Sequence, residues 1–370
     1  MQHFPSSTRP HQRWLAAAAL SVSAVMALSA CGGSSGSSSG GGGSEDIGVS
    51  LIVKTTTNPF FVSMQEGAQK AAQAGGIDLT LAAGKADGDE DTQIQAIENA
   101  ISKGDKGILI TPNGPAVVDA LQKARDAGLF TIALDTPPEP ADAVDITFAT
   151  DNFAAGRAIG EWTAAQLDGK KAVIALVDLF DDKVVSVDYN RDQGFLTGLG
   201  IDVADRTKNG DEATSGTYSG GKGGEYTIVG NEASEGAEDG GRTAMETLLS
   251  QNPDINVVYT INEPAAAGAY EALKAAGKET GVLVVSVDGG CAGVGNVKSG
   301  VIGATAQQYP VTMAELGVQA IVDYAKNGTK PSTSAGLEFY DTGVKLVTDT
   351  PVEGLKSIDT AAASQICWGK

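Results

Sequence analysis

The feature that most restricts the fold is a rhythm. Short unbroken apolar runs at 47–53, 79–83, 107–111, 130–135, 172–177, 257–260 and 282–287 alternate with longer segments of helical pattern. A run of that length with no polar alternation predicts a strand buried on both faces, as in a parallel sheet. Between the strands, Asn58 and Pro59 supply an N-cap and a first helical residue, and Gly75-Gly76 a stop. Ile94, Ile97 and Ile101 put one apolar face on a second helix over 91–102. After 147–150 the cycle starts again and runs to a last long helix at 311–326. The chain therefore predicts an α/β fold of two doubly wound parallel-sheet lobes, each with strand-end loops free to bind a ligand. The stretch 202–224, rich in Gly, Ser, Thr and Asp, breaks the rhythm and reads as a surface loop insertion.

Charge and histidine content narrow the function. Asp and Glu number 46 against 26 Lys and Arg, a net charge of −20, which opposes binding to nucleic acid or anionic lipid. The two histidines are His3 and His11, so no Ser-His-Asp or Cys-His catalysis and no His-ligated zinc is available beyond the N-terminus. Arg9 and Arg13 precede an apolar run at 14–30 that ends Leu28-Ser29-Ala30-Cys31, and residues 32–44 are all Gly or Ser. This predicts an export signal over 1–30 and a flexible tether over 31–45. Leu-Ser-Ala-Cys resembles a bacterial lipobox, which implies lipidation of Cys31 and anchoring to the outer face of the cell membrane, or a periplasmic location. Cys291 and Cys367 are then an even pair in an exported protein, and a disulfide between them is expected to pin the C-terminal tail.

The strand-end segments hold Lys54 to Phe61, Thr111 to Asn113, Asp135-Thr136, Asp151-Asn152, Arg191, Asn262-Glu263, Asp288 and Gln307-Gln308. Planar polar side chains with fixed donors and acceptors suit a polyhydroxylated ligand, and phenyl rings suit the C–H face of a sugar. No phosphate-binding Gly-rich loop is present. Asp87, Asp89, Asp91 and Glu98 imitate part of a calcium loop, but Thr92 stands where that loop needs Gly, and helix capping is the expected role.

The ordered set Lys54-Thr-Thr-Thr-Asn-Pro-Phe-Phe61, Leu134-Asp135, Thr150-Asp-Asn152, Asn190-Arg-Asp-Gln-Gly-Phe195, Ile261-Asn-Glu263, Val287-Asp-Gly289 and Gln307-Gln-Tyr-Pro310 resembles the sugar-binding proteins of ABC transporters. The ribose/galactose type is matched over 46–360, and its fructose-binding branch is the most similar. The resemblance implies the type I periplasmic-binding-protein fold with a three-segment hinge. It implies an N-terminal lobe of 46–149 plus 309–333, a C-terminal lobe of 150–308 plus 334–370, and crossings near 149–151, 308–309 and 332–335. It implies sugar contacts from Asn58, Phe60, Phe61, Asp135, Arg191, Asn262, Asp288 and Gln308, with Gln307 as the competing register. Ribose-binding relatives carry Ser in place of Lys54 and Arg in place of Thr136, and an aromatic residue near Gly236 that is not found here. Lys54 therefore joins the ligand set, as a charged donor to a hydroxyl that can also pair with Asp135. These departures point away from ribose as the sole ligand and toward a fructose-like monosaccharide.

The implied activity is binding, not catalysis, with no cofactor and no metal. The implied partners are the sugar and a membrane permease with its ATPase, the protein itself being a monomer. A sugar-sensing chemoreceptor component is the alternative. A repressor of the lactose type shares the fold but needs a DNA-binding headpiece where this chain has its signal and tether.

Overall fold

The computed structural model describes residues 47–370. The signal segment, Cys31 and the tether lie outside the described residues. The elements are β1 (Gly48–Val53), α1 (Pro59–Gly75), β2 (Asp78–Ala83), α2 (Glu90–Lys103), β3 (Gly107–Ile110), α3 (Val118–Asp126), β4 (Phe130–Leu134), β5 (Ile146–Ala149), α4 (Asn152–Leu167), β6 (Ala172–Asp178) and α5 (Ser186–Leu199). They continue as β7 (Ser215–Tyr218), β8 (Gly224–Ala233), α6 (Glu238–Gln251), β9 (Val257–Thr260), α7 (Glu263–Ala275), β10 (Leu283–Asp288), α8 (Cys291–Ser299), β11 (Ala304–Gln307), α9 (Pro310–Asn327), β12 (Tyr340–Asp341), β13 (Lys345–Val347), β14 (Ser357–Ile358) and α10 (Thr360–Ile366).

Two sheets form, in the strand orders β12-β5-β4-β3-β1-β2 and β14-β13-β11-β10-β9-β6-β8-β7. Every pairing in the first sheet is parallel. The apolar strands feed two cores each. On β6, Ile174 and Leu176 enter one core while Val173, Ala175 and Val177 enter the other. On β3, Leu109 faces one side and Ile108 and Ile110 the opposite side. A strand covered on both faces needs no polar alternation, which is why these strands read as continuous apolar runs.

The chain passes between the lobes three times, at β5 to α4, β11 to α9 and β12 to β13. The third passage lies later than the 332–335 expected from sequence. Tyr340 and Asp341 first pair in parallel with Phe148 and Ala149, and the Tyr340 ring packs 5.4 Å from that of Phe148. The N-terminal sheet thus claims residues up to 341, beyond the boundary at 333. The supposed insertion over 202–224 also contains structure, since β7 pairs antiparallel with the start of β8 as an edge strand.

In the C-terminal lobe, α4 and α5 meet backbone to backbone. A Cβ placed on Gly156 would lie 2.1 Å from the carbonyl oxygen of Arg191, and one on Gly198 would lie 2.3 Å from that of Arg157. Gly160 and Gly194 are equally confined. The helix α5 is buried almost all round and starts at Ser186, four residues before the 190–199 expected. In the N-terminal lobe α1 packs on α9 more loosely, a Cβ on Gly67 lying 3.0 Å from Val311.

Candidate functional site

A cleft between the lobes is lined by Lys54, Asn58, Phe60, Phe61, Asp87, Asp135, Leu179, Val187, Arg191, Ile261, Asn262, Asp288 and Gln308. All nine residues expected around a ligand are among them. The lobes are drawn together, and the cavity left between them is small, about 30 Å³. Three contacts close the rim: Lys183 Nζ donates to the Gly88 carbonyl at 3.2 Å, Ser186 Oγ to the Pro137 carbonyl at 2.7 Å, and the Tyr189 hydroxyl to Glu139.

On the N-terminal face, Asn58 Oδ1 caps α1 by accepting from Phe60 N at 2.9 Å, and among the described residues its amide group makes no other hydrogen bond. Its NH2 is thus available to a ligand while its oxygen holds the helix. Phe60 meets Phe61 edge to face at 5.3 Å and meets Trp368 in the same manner at 5.3 Å. Asp135 follows β4 in the left-handed region with φ 66°, and its Oδ2 accepts from Thr136 Oγ1 at 2.8 Å. A β-carbon makes that backbone costly, by about 1–3 kcal/mol. The surrounding loop aims the carboxylate into the cleft in spite of it.

Lys54 does not pair with Asp135. Its ammonium lies 4.0 Å from Asp87 Oδ1, while Asp135 lies 3.9 Å from Arg191. Asp87 is the cleft residue that the sequence reading misplaced. Of the acids in the apparent calcium loop, Asp89 does cap α2, accepting from Thr92 N at 3.2 Å, but the turn before it carries Asp87 into the cleft. Burial pushes the Asp87 carboxyl up to about 6, against the pull of Lys54. No group of three or more acidic, His or Cys side chains suited to a metal ion occurs among the described residues. Asn113, another strand-end candidate, is structural: its NH2 donates to the carbonyls of Lys54, Ala86 and Asp89.

On the opposite face Arg191 is fixed by two of its five N–H donors, and it keeps others for the cleft. Its Nε donates to Asn152 Oδ1 at 2.7 Å and its Nη1 to the Ile261 carbonyl at 2.9 Å. It also lies 4.0 Å from Asp288. Asp288 ends β10 with φ 142° and accepts from Gln308 Nε2 at 2.9 Å. Burial raises the Asp288 carboxyl, opposed by Arg191 and Gln308. Asn262 caps α7 through Oδ1 and donates to the Gly236 carbonyl at 3.0 Å. Glu263 sits behind the cleft, accepting from Gly289 N, Gly290 N and Thr305 Oγ1. Burial raises its carboxyl too, with Asp288 adding to the effect.

The register at β11 is now fixed. Gln307 pairs with Asp288 as a strand residue and turns its side chain to the Gly289 carbonyl, away from the cleft, so Gln308 faces inward. The buried Oε1 of Gln308 and Oδ1 of Asp87 accept no hydrogen bond. The cleft therefore joins an aromatic wall to two cations, three carboxylates and amides, with acceptors still unsatisfied.

The profile of the family described as "Periplasmic binding protein domain" matches residues 47–330. The chain belongs to the periplasmic binding proteins. It is 30% identical to the ribose import binding protein of Haemophilus influenzae, across 73% of this chain and 82% of that protein. It is 28% identical to the ribose import binding protein of Bacillus subtilis, across 75% of this chain and 82% of that one. Among solved structures, an ABC-transporter solute-binding protein of Agrobacterium vitis with bound D-fucose superposes with TM-score 0.69 at 25% identity. That superposition spans 87% of this chain and 100% of the other. A periplasmic solute-binding protein of Actinobacillus succinogenes with bound D-allose gives TM-score 0.67 at 22% identity, over 86% and 100%. The two-lobed α/β architecture of this binding protein is therefore the type I fold of its family.

The joined cysteines agree with the expectation from their number. Cys291 and Cys367 form a disulfide with Cα atoms 5.0 Å apart. No helix among the described residues is long and apolar enough to cross a membrane.

Proposed function

We propose that this periplasmic binding protein captures a monosaccharide in the interlobe cleft and delivers it to the permease of a carbohydrate ABC importer. It works outside the cytoplasm, and Cys31 is its lipid anchor. The observation that carries the reading is the convergence of Lys54, Asn58, Asp87, Asp135, Arg191, Asp288 and Gln308 on one cleft walled by Phe60 and Phe61. Sugar hydroxyls would donate to Gln308 Oε1 and to the carboxylates, and accept from Asn58, Lys54 and Arg191. A ligand touching both faces stabilises the closed pair of lobes, because only that state offers all the contacts. Nothing in the cleft serves as a nucleophile with an adjacent base, so the sugar leaves unchanged. The curated relatives named above are ribose import binding proteins, which supports the monosaccharide class. The fructose-like preference rests on Lys54, held by Asp87, and on Thr136, which holds Asp135 instead of reaching for the ligand.

A thermal-shift panel with D-fructose, D-ribose, D-allose, D-fucose and myo-inositol tests this. Ligand at about 100 times Kd adds roughly 2.7 kcal/mol to stability. The largest shift is expected with fructose. A larger one with ribose or allose would overturn the fructose assignment but keep the class, and no shift with any of them would remove the monosaccharide reading.

A further inference from the structure

The last residues of the chain belong to both lobes at once. Helix α10 rests on the C-terminal lobe, where Ala363 shares a small core with Val294 and Val347. Cys367 is bonded to Cys291 at the start of α8. One residue later the allegiance changes. Trp368 is 8% exposed and lies in the core of the N-terminal lobe with Phe60, Phe61 and Met313. Its main chain remains tied to the other lobe, its carbonyl accepting from Cys291 N at 2.9 Å. Its indole Nε1 donates to the Gln308 carbonyl at 2.9 Å, on the second passage between lobes. Its ring stands edge to face with Phe60 at 5.3 Å. A Cβ on Gly290 would lie 3.2 Å from that ring, and one on Gly369 would lie 3.6 Å from Pro59.

We propose that the disulfide-held tail is a fourth link between the lobes and that Trp368 is a positioning residue for the sugar. It backs the Phe60 wall of the cleft and grips the main chain of Gln308, whose side chain holds Asp288. The proposal rests on the sugar-binding reading for its effect on affinity, but not for its effect on local order. Two of the cleft's groups depend on one indole, and that indole is fixed by a covalent bond made in the opposite lobe. An aromatic ring at 368 is the requirement for the wall, whereas the N–H is the requirement for Gln308. Freeing the tail therefore loosens both groups together without touching any ligand-facing side chain.

The test uses the full chain and its Trp368→Ala, Trp368→Phe and Cys367→Ser variants. Binding of D-fructose and D-ribose is measured by calorimetry, and hydrogen exchange is measured without sugar. Trp368→Ala and Cys367→Ser are expected to weaken the sugar that binds the wild type by about tenfold or more, with Trp368→Phe recovering part of the loss. Exchange is expected to rise at Phe60–Phe61 and at Gln307–Gln308. Dithiothreitol treatment of the wild type is expected to give the same changes with no substitution, which covers a variant that fails to fold. Unchanged affinity and exchange in Trp368→Ala, or a lower melting temperature alone, would overturn the proposal. If the wild type binds neither sugar, the choice of these two sugars is at fault, and the exchange comparison alone decides the role of the tail.

Discussion

In the N-terminal lobe the polar residues of the cleft hang from segments outside regular structure. Lys54 follows the end of β1, Asn58 precedes α1, Asp87 sits in a turn, and Asp135 stands just past β4. In the C-terminal lobe Arg191 projects from the body of a helix that has no exposed face to speak of, and Asp288 is the last residue of a central strand. The first group is held by caps and short polar contacts, the second by backbone packing and a shared hydrogen-bond network. A site built this way has one rigid jaw and one adjustable jaw. Rigid elements fix a geometry better than loops do, so on the proposed reading the C-terminal face would set how tightly a sugar is held and the N-terminal face which sugar it is.

Glycine substitutions give the sharpest contrast. Alanine at Gly156 forces its Cβ onto the Arg191 carbonyl, which is main chain and cannot step aside. Gly156→Ala is expected to cost about 3 kcal/mol or more. Gly67→Ala on α1 meets Val311 at 3.0 Å. There the gain in helix propensity, about 1 kcal/mol, offsets much of the crowding. Denaturant melts of the two variants read the difference directly, and equal losses would mean the lobes are equally rigid.

Next come the two cations. Arg191→Met leaves Asp135 and Asp288 facing each other unpaired, and Kd is expected to rise by about 100-fold, roughly 3 kcal/mol. Lys54→Met removes a charge whose one ion-pair partner among the described residues is Asp87, at 4.0 Å. It should cost about tenfold, roughly 1.4 kcal/mol, while changing the order of preference among sugars. Titration of both variants with fructose and ribose separates the roles. A Lys54 variant that weakens all sugars alike would break the division of labour between the jaws.

The remaining effect is that of pH. Asp87 titrates near 3.8 when unfolded and about 6 when folded, so the folded protein holds more protons between those values. Its contribution to stability is full below about pH 4 and is lost as pH rises through about 6, up to roughly 3 kcal/mol. Asp87→Asn has no such proton to lose. The melting-temperature difference between the variant and the wild type should therefore shift in favour of the variant from pH 4.5 to 7.5. A difference that stays flat across that range would place Asp87 in contact with water.

Much of this was legible in the sequence because the signals were local. Asn58-Pro59, Asn262 and the unbroken strands announce themselves through caps and apolar runs, and the strand ends deliver the cleft. What the sequence hid had physical causes. Asp87 lies two residues from a true capping acid, and charge pattern alone does not say which carboxylate turns inward. Gln307 and Gln308 differ by one step of a period-two strand, so their faces follow only from the pairing of β11 with Asp288. The strands β7 and β12 lie at sheet edges, where β7 is exposed at three of its four residues and carries no apolar run. Trp368 follows a short helix at the chain end, and its core is supplied by residues some three hundred positions earlier.

The late third passage between the lobes bears on how the molecule is made. The N-terminal sheet lacks its edge strand until Tyr340–Asp341 has been synthesised, and the C-terminal sheet lacks its own until Ser357–Ile358. Neither lobe is a contiguous stretch of chain, so neither can be completed while the ribosome is still far from the end. Contacts that distant in sequence form slowly. A chain whose first sheet is completed at Asp341 and whose second is completed at Ile358 is expected to keep both halves unfinished until most of it has been made.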